Sequence, residues 1–374
     1  MAHIKPPFRA DHVGSFLRPA AIVSARALYA KNLISREELT AVEDKEIAAL
    51  IQAQKEHGLK AVTDGEFRRA FWHLDFLAAL DGIEHIKAEA WSVKFKDANP
   101  KAETIRIINK VDFSESHPFV EHFERLQKLA GETMVKFTIP SPSMLHLICC
   151  VRPENYEPIE RYAGKDEELC ADIAAAYVKC VKALYARGCR YLQLDDTSWG
   201  EFCSAEKREK YQARGIDLER IADLYISMIN TIMAAKPEDM TICMHICRGN
   251  FRSTWFSSGG YAPVAEKLFG GCHIDGFFLE YDSDRAGDFK PLAHIKDQTV
   301  VLGLITSKTP ELEPEAAIKE RIAEAAQYVP LEQLCLSTQC GFASTEEGNN
   351  LTAEQQWAKV DLVVKIASEV WTDC

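Results

Sequence analysis

The sequence predicts an α/β fold, a (β/α)8 TIM-type barrel carrying an inserted β-hairpin. Three observations predict it. Eight strand-like runs recur along 374 residues, amphipathic helical stretches separate most of them, and reactive side chains collect where the runs end. Strands alternating with helices close most economically into a parallel barrel whose catalytic end is its C-terminal face.

The strand-like runs are 8–16, 59–65, 134–140, 191–196, 240–247, 276–281, 299–306 and 334–341. Several are unbroken apolar stretches, as expected when helices cover one sheet face and the barrel core the other. Helical periodicity falls at 35–57, 166–187, 216–235, 262–269, 315–328 and 352–370. The first of these opens Ser35-Arg-Glu-Glu38, a capping-box pattern, and Pro314 precedes the fifth, where a helix start tolerates proline. Segment 85–113 breaks the rhythm. Its alternating pattern, Ala90-Trp-Ser-Val-Lys-Phe95 and then Thr104-Ile-Arg-Ile-Ile108, predicts a β-hairpin at the barrel rim. With no internal repeat, low-complexity tract or linker, residues 1–374 are expected to form one domain.

Hydrophobic residues make up 47% and charged residues 27%, enough apolar material for a large core. A net charge of −12 without a basic stripe argues against nucleic acid or an acidic membrane as partner. No apolar run approaches the ~20 residues of a membrane span. The start, Met1-Ala-His-Ile-Lys-Pro-Pro7, offers no signal-peptide stretch, so the cytoplasm is the expected compartment. The 12 cysteines mostly lie in apolar periodic segments, where a reduced thiol behaves as a small hydrophobe.

Two cysteines have different neighbours. The run Thr241-Ile-Cys-Met-His-Ile-Cys247 ends its strand in His245-x-Cys247, and a period of two points both side chains to one side. Glu280 closes Gly276-Phe-Phe-Leu-Glu280, and Cys340 closes the last strand just before Gly341. Taken singly, these would read as core cysteines and a rim acid. Gathered at the ends of three strands of one barrel, one nitrogen, two sulfurs and a carboxylate suit a tetrahedral ion of borderline softness, zinc.

Three more strand ends carry polar groups: Ser15 after the first strand, Asp64 and Glu66 after the second, Asp195 and Asp196 after the fourth. Carboxylates at a barrel mouth can bind an ammonium group, bind a second metal, or do acid–base work. They can equally be neutralised by Arg18, Arg68 and Arg69 in an ion-pair network.

Read in order, His12-Val-Gly-Ser-Phe16, Asp64-Gly-Glu-Phe-Arg-Arg69, Gln193-Leu-Asp-Asp196, His245-x-Cys247, Glu280 and Thr338-Gln-Cys-Gly-Phe342 resemble the catalytic domain of cobalamin-independent methionine synthase. The short single-domain relatives of that enzyme are the nearer likeness, and it runs from about residue 8 to the C-terminus. The resemblance implies a zinc-holding barrel with His245, Cys247, Glu280 and Cys340 as ligands. It also implies that Ser15 holds the carboxylate of homocysteine, and that Glu66 and Asp195 hold its ammonium group. Two departures stand out. Pro140-Ser-Pro-Ser-Met-Leu-His146 replaces the family's Asn-Trp-Ser segment, and Lys308 stands where the family has a proton-transferring histidine.

The function so implied is transfer of a methyl group to the thiol of homocysteine, giving methionine, with 5-methyltetrahydrofolate as a candidate donor. Lys308 or a neighbouring acid such as Asp195 would move the proton that the departing donor nitrogen needs. Trp72, Met144 and His146 are candidates for the donor pocket, with the hairpin as a cover. The rival enzyme readings keep zinc–thiolate chemistry but change partners: another thiol, such as a thiol sulfonate of the coenzyme M type opening an epoxide, or a methylcorrinoid or sulfonium donor. A non-catalytic zinc protein would lack the acidic mouth, and a Schiff-base aldolase would need a strand-end lysine that the sequence does not offer.

Overall fold

The computed structural model describes residues 5–87, 95 and 102–374. Its strands, in chain order, are β1 (Ala61–Val62), β2 (Asp81–Lys87), β3 (Glu103–Asp112), β4 (Met134–Pro140), β5 (Tyr191–Asp196), β6 (Thr241–Ile246), β7 (Gly276–Glu280), β8 (Thr299–Ile305) and β9 (Leu334–Thr338). Seven of them form one parallel sheet in the order β1-β4-β5-β6-β7-β8-β9, while β2 and β3 pair with each other. Side chains on both faces are buried, Leu192, Ile242, Phe277 and Val300 on one and Tyr191, Cys243, Phe278 and Val301 on the other, so the strands read as apolar runs.

The first expected strand is the exception. Segment 8–16 pairs with the neighbouring backbone at isolated parallel bridges, Ala10 with Leu336 on one side and Ser15 with Gly65 on the other, rather than along a ladder. Those bridges join the two edges of the sheet, β9 and β1, and complete the barrel. A regular ladder cannot form there because the Asp11 carboxylate takes the backbone N–H groups of Phe8 (3.0 Å) and His12 (2.8 Å). Gly14 then turns the chain at φ +131°, a conformation that a side chain would resist. The kinked segment is pinned from inside the barrel. The Lys136 ammonium lies 3.0 Å from Asp11 Oδ1, and the Tyr191 hydroxyl donates to Asp11 Oδ2 at 2.8 Å.

The helices begin where their caps predict. Ser35 caps Arg36–Glu56 and Thr352 caps Ala353–Val370, each in a reciprocal capping box, and Asp217 caps Leu218–Ala235. Helices Ala20–Ala30 and Pro118–Ala130 add to the expected set. The second of these covers β4 with Phe119, Phe123 and Leu126.

The inserted hairpin is present, but it starts earlier than expected. Strands β2 and β3 are antiparallel with Ile83 opposite Ile107, and Ile83, Ile105 and Ile107 turn inward. Of the alternating stretch 90–95, only Phe95 falls within the described residues. Among the described residues, no helix is long and apolar enough to cross a membrane.

Candidate active site

The C-terminal ends of β5, β6, β7 and β9 converge. His245 lies on β6, Cys247 just beyond it, and Cys340 two residues past β9. One ligand-type atom from each lies within 4.8 Å of the others, and all three residues are buried. Their sulfurs are 3.7 Å apart. The His245 Nδ1 lies 3.3 Å from the Phe278 carbonyl, a contact in which Nδ1 donates, leaving the lone pair on Nε2. That Nε2 is buried with no hydrogen-bond partner among the described residues. A nitrogen lone pair and two sulfurs facing one point are a donor set that fits a soft or borderline divalent cation.

Glu280 adjoins this group rather than joining it. Its Oε1 lies 3.9 Å from Cys247 Sγ, while Oε2 accepts the backbone N–H of Arg248 at 3.2 Å and faces the Arg248 guanidinium at 3.7 Å. The Lys308 ammonium lies 3.9 Å from Glu280 Oε1. Lys308 thus faces the same Glu280 oxygen that faces Cys247, its buried Nζ has no hydrogen-bond partner among the described residues, and it is not among the residues lining the cavity above the cluster.

The two thiols titrate as one unit. The hydrogen bond from Cys247 takes the Cys340 thiol well below its ordinary value, with His245 adding to the effect. The same bond, helped by burial, lifts Cys247 well above its own. The backbone N–H of Gly249 donates to Cys247 Sγ at 3.2 Å.

Beside the cluster the cavity wall is acidic. Glu66 and Asp195 both line it, and so does Ser15. Glu66 sits at φ +62° directly after Gly65 at +64°, so a tight left-handed turn delivers its side chain to the mouth. Its Oε1 accepts from Thr138 Oγ1 (2.9 Å) and faces Arg69 at 3.3 Å. Its Oε2 is buried without a partner among the described residues. Asp195 accepts from Gln193 Nε2 at 2.7 Å, and burial, with Glu66 nearby, raises its carboxyl to about 7. Burial likewise raises Glu66, although Arg69 and Arg18 oppose it. Two carboxyls pushed toward neutrality, one with an unpartnered oxygen, make a receptor for a cation.

Ser15 is held at the same rim. Its Oγ accepts from the Ala343 N–H at 3.2 Å, and a Cβ on Gly341 would fall 2.0 Å from that oxygen. Only glycine lets the loop carrying Cys340 pass so close to Ser15.

The ion-pair network weighed from the sequence is mostly elsewhere. Arg68 pairs with Glu43 (2.8 Å) and Asp44, and Arg18 donates to backbone carbonyls, including Ala343 at 2.6 Å. Of these three arginines, Arg69 is the one whose side chain pairs with a carboxylate of the mouth. Asp64 and Asp196 organise loops: Asp64 accepts the N–H of Glu66 at 2.9 Å, and Asp196 accepts from Ser198 Oγ at 2.6 Å and from Ser143. Strand alternation separates Asp195 from Asp196.

On the far wall the cavity is aromatic. Trp72 and Met144 line it, as expected, but His146 turns away, with Nδ1 3.2 Å from the Tyr225 hydroxyl. Phe95, Phe251, Phe256 and Arg152 also line it. Phe95 belongs to the alternating stretch expected at the rim, whereas Phe251, Phe256 and Arg152 carried no motif or strand-end signal; Arg152 directly follows a short π-helix, Leu147–Val151.

A family profile described as the catalytic domain of cobalamin-independent synthase matches residues 8–368. The chain belongs to that family. The methyltransferase class expected from the sequence stands with this membership. The Bacillus subtilis protein YxjH, itself uncharacterised, is 50% identical over 370 residues, covering 98% of this chain and 96% of that protein. The solved structure of the putative vitamin-B12 independent methionine synthase from Listeria monocytogenes is 44% identical, with a TM-score of 0.77 and 98% of both chains covered. A B12-independent methionine synthase from Shewanella sp. W3-18-1, solved in complex with selenomethionine, shares the fold. It is 18% identical, with a TM-score of 0.71 and 97% of both chains covered.

Proposed function

We propose that this protein is a zinc-dependent methyltransferase that moves a methyl group to the thiol of homocysteine, giving methionine. The observation that carries this reading is one juxtaposition. A His245, Cys247 and Cys340 donor set, with ligand atoms within 4.8 Å of one another, shares a cavity with the buried carboxyls of Glu66 and Asp195. His245, Cys247 and Cys340 would hold the zinc, with Glu280 as the fourth ligand after a small side-chain movement. Zinc, when bound, supplies the positive charge that keeps a substrate thiol deprotonated near neutral pH.

The protein's own residues then orient and insulate. Glu66 and Asp195 take the substrate ammonium and Ser15 the end bearing its carboxylate, which fixes where the sulfur lies. Such positioning supplies much of the acceleration in a bimolecular displacement. The aromatic wall excludes water from the reacting atoms. As the S–CH3 bond forms, the donor's bond to its methyl carbon breaks, and a nitrogen leaving group then takes up a proton. Lys308, whose ammonium lies 3.9 Å from Glu280 Oε1, is the candidate to supply that proton, since Asp195 as the ionised partner of the substrate ammonium has none to give. A methylated folate such as 5-methyltetrahydrofolate is the donor this reading favours.

A second reading, alkylation of a thiol without an amino group, leaves the unpartnered Glu66 oxygen unexplained. Twelve free cysteines suit a reducing compartment, and the cytoplasm is the one this reading favours. The test is to incubate zinc-loaded protein with homocysteine and a panel of methyl donors and to measure methionine. Product from a thiol lacking the amino group, but not from homocysteine, would overturn the acceptor assignment.

A further inference from the structure

The donor end of the cavity carries a charge that methyl transfer to homocysteine does not itself require. Arg152 lines the cavity, and its side chain is 5% exposed. Its Nε and Nη2 donate to Glu201 Oε1 at 2.9 and 2.6 Å, and Nη2 also reaches Thr197 Oγ1 at 3.1 Å. Nη1 makes no hydrogen bond to any described residue. A buried guanidinium normally uses its five N–H donors, so an idle edge facing a cavity calls for an acceptor from outside.

Charge counting points the same way. Lys207 lies 4.0 Å from Glu201 Oε2, and Glu206, also near Lys207, is paired with Lys210 at 2.5 Å, so three cations, counting Arg152, share two carboxylates and a surplus positive charge remains. Two of these cations also stand against the ring of Phe256, Lys207 at 4.9 Å and Arg152 at 5.8 Å from its centroid. Aromatic walls alone would attract a cationic donor. Here the ring already serves two cations, and a third would meet their repulsion. Phe95 packs between Phe251 (5.4 Å, tilted at 51°) and Phe256 (5.2 Å, edge-on at 78°), which makes that wall a tilted aromatic cluster against which a flat ring system can rest.

We infer that Arg152 is a specificity-determining residue for the methyl donor, presenting Nη1 to an anionic or carbonyl-type oxygen on a planar donor and disfavouring sulfonium donors. The inference rests on the methyl-transfer reading above. It gives the cavity two poles: an acidic one for the acceptor's ammonium and a basic, aromatic one for the donor.

The test compares the parent with Arg152→Gln in zinc-loaded form, using 5-methyltetrahydrofolate and S-methylmethionine as probes. The substitution should lower kcat/KM for the folate about 10- to 100-fold, as loss of a charge-assisted hydrogen bond predicts. Turnover of the sulfonium should hold or rise, with the homocysteine KM within about twofold and zinc content unchanged. Arg152→Gln leaves Glu201 without its main partner and can misfold. The pair Arg152→Gln with Glu201→Gln removes both charges together and should show the same donor-selective loss. Equal loss with both donors, a shift confined to the homocysteine KM, or no change would each overturn the role. If the parent methylates homocysteine with neither probe, the methyl-transfer reading fails. Arg152 is then judged by equilibrium binding of 5-methyltetrahydrofolate, and parent affinity no greater than that of the variant overturns it.

Discussion

Cys247 and Cys340 stand 93 residues apart in the chain, yet their sulfurs face each other at 3.7 Å across the top of the barrel. The distance is far too long for a disulfide and suits two thiolates sharing one cation. Neither strand end alone gives either cysteine a reason to be reactive. Their approach does, because each sulfur sets the protonation of the other.

The first prediction follows from that pair. The protein should bind about one zinc per chain, and Cys247→Ser or Cys340→Ser should each weaken binding about 10-fold or more, since a hydroxyl is a poor replacement for a thiolate. Competition with a chelating dye and elemental analysis measure it. Undiminished zinc in both variants would remove the metal assignment.

Glu66→Gln keeps the shape of the side chain but removes its charge. Homocysteine affinity should fall about 10- to 100-fold, the value of a buried charge-assisted hydrogen bond of ~1.5–3 kcal/mol, while zinc stays bound. Titration of the zinc-loaded protein with homocysteine and with a matching thiol lacking the amino group separates the cases. Equal weakening of both thiols would mean that Glu66 does not read the ammonium.

Gly341→Ala should cost roughly 1–3 kcal/mol in urea denaturation, because the new Cβ would fall 2.0 Å from Ser15 Oγ. Adding Ser15→Ala should recover part of that loss, since it removes the atom that is struck. A double variant no more stable than Gly341→Ala alone would place the strain elsewhere.

His117 gives a pH test away from the site. It caps helix Pro118–Ala130 by accepting the Phe119 N–H at 3.2 Å, and its Nε2 lies 3.0 Å from the Phe76 carbonyl. Burial lowers its pKa to about 4. A folded value below the unfolded ~6.5 means that its stabilising effect is complete above ~6.5 and fades as the pH falls toward 4. The variant His117→Asn keeps a capping side chain that does not titrate. Between pH 7.5 and 5 the parent should lose up to about 2 kcal/mol more than this variant. Parallel losses measured by urea denaturation would show that His117 titrates normally.

The parts of this protein that depend on local periodicity were legible in one dimension. Period-two alternation put His245 and Cys247 on one side of a strand, and both belong to the metal-type cluster. The capping box at Ser35 announced its helix, and unbroken apolar runs announced a covered parallel sheet. Local sequence suffices there because backbone geometry repeats every two or 3.6 residues and side chains follow it.

The tertiary structure decided whatever depends on distance between elements. It set Glu280 beside the cluster with Arg248 against one of its oxygens and Lys308 against the other, and it sent Arg68 to Glu43 instead of the mouth. It reduced segment 8–16 to bridges, because a carboxylate three residues away competes for the backbone N–H of Phe8. It also brought Arg152, Phe251 and Phe256 to one cavity from loops that share no period. Sequence pattern fixes which way a side chain leaves its own strand or helix. Which charge or ring it then meets is settled only when the barrel closes, since those encounters are made across dozens to hundreds of residues and obey packing and electrostatics rather than periodicity.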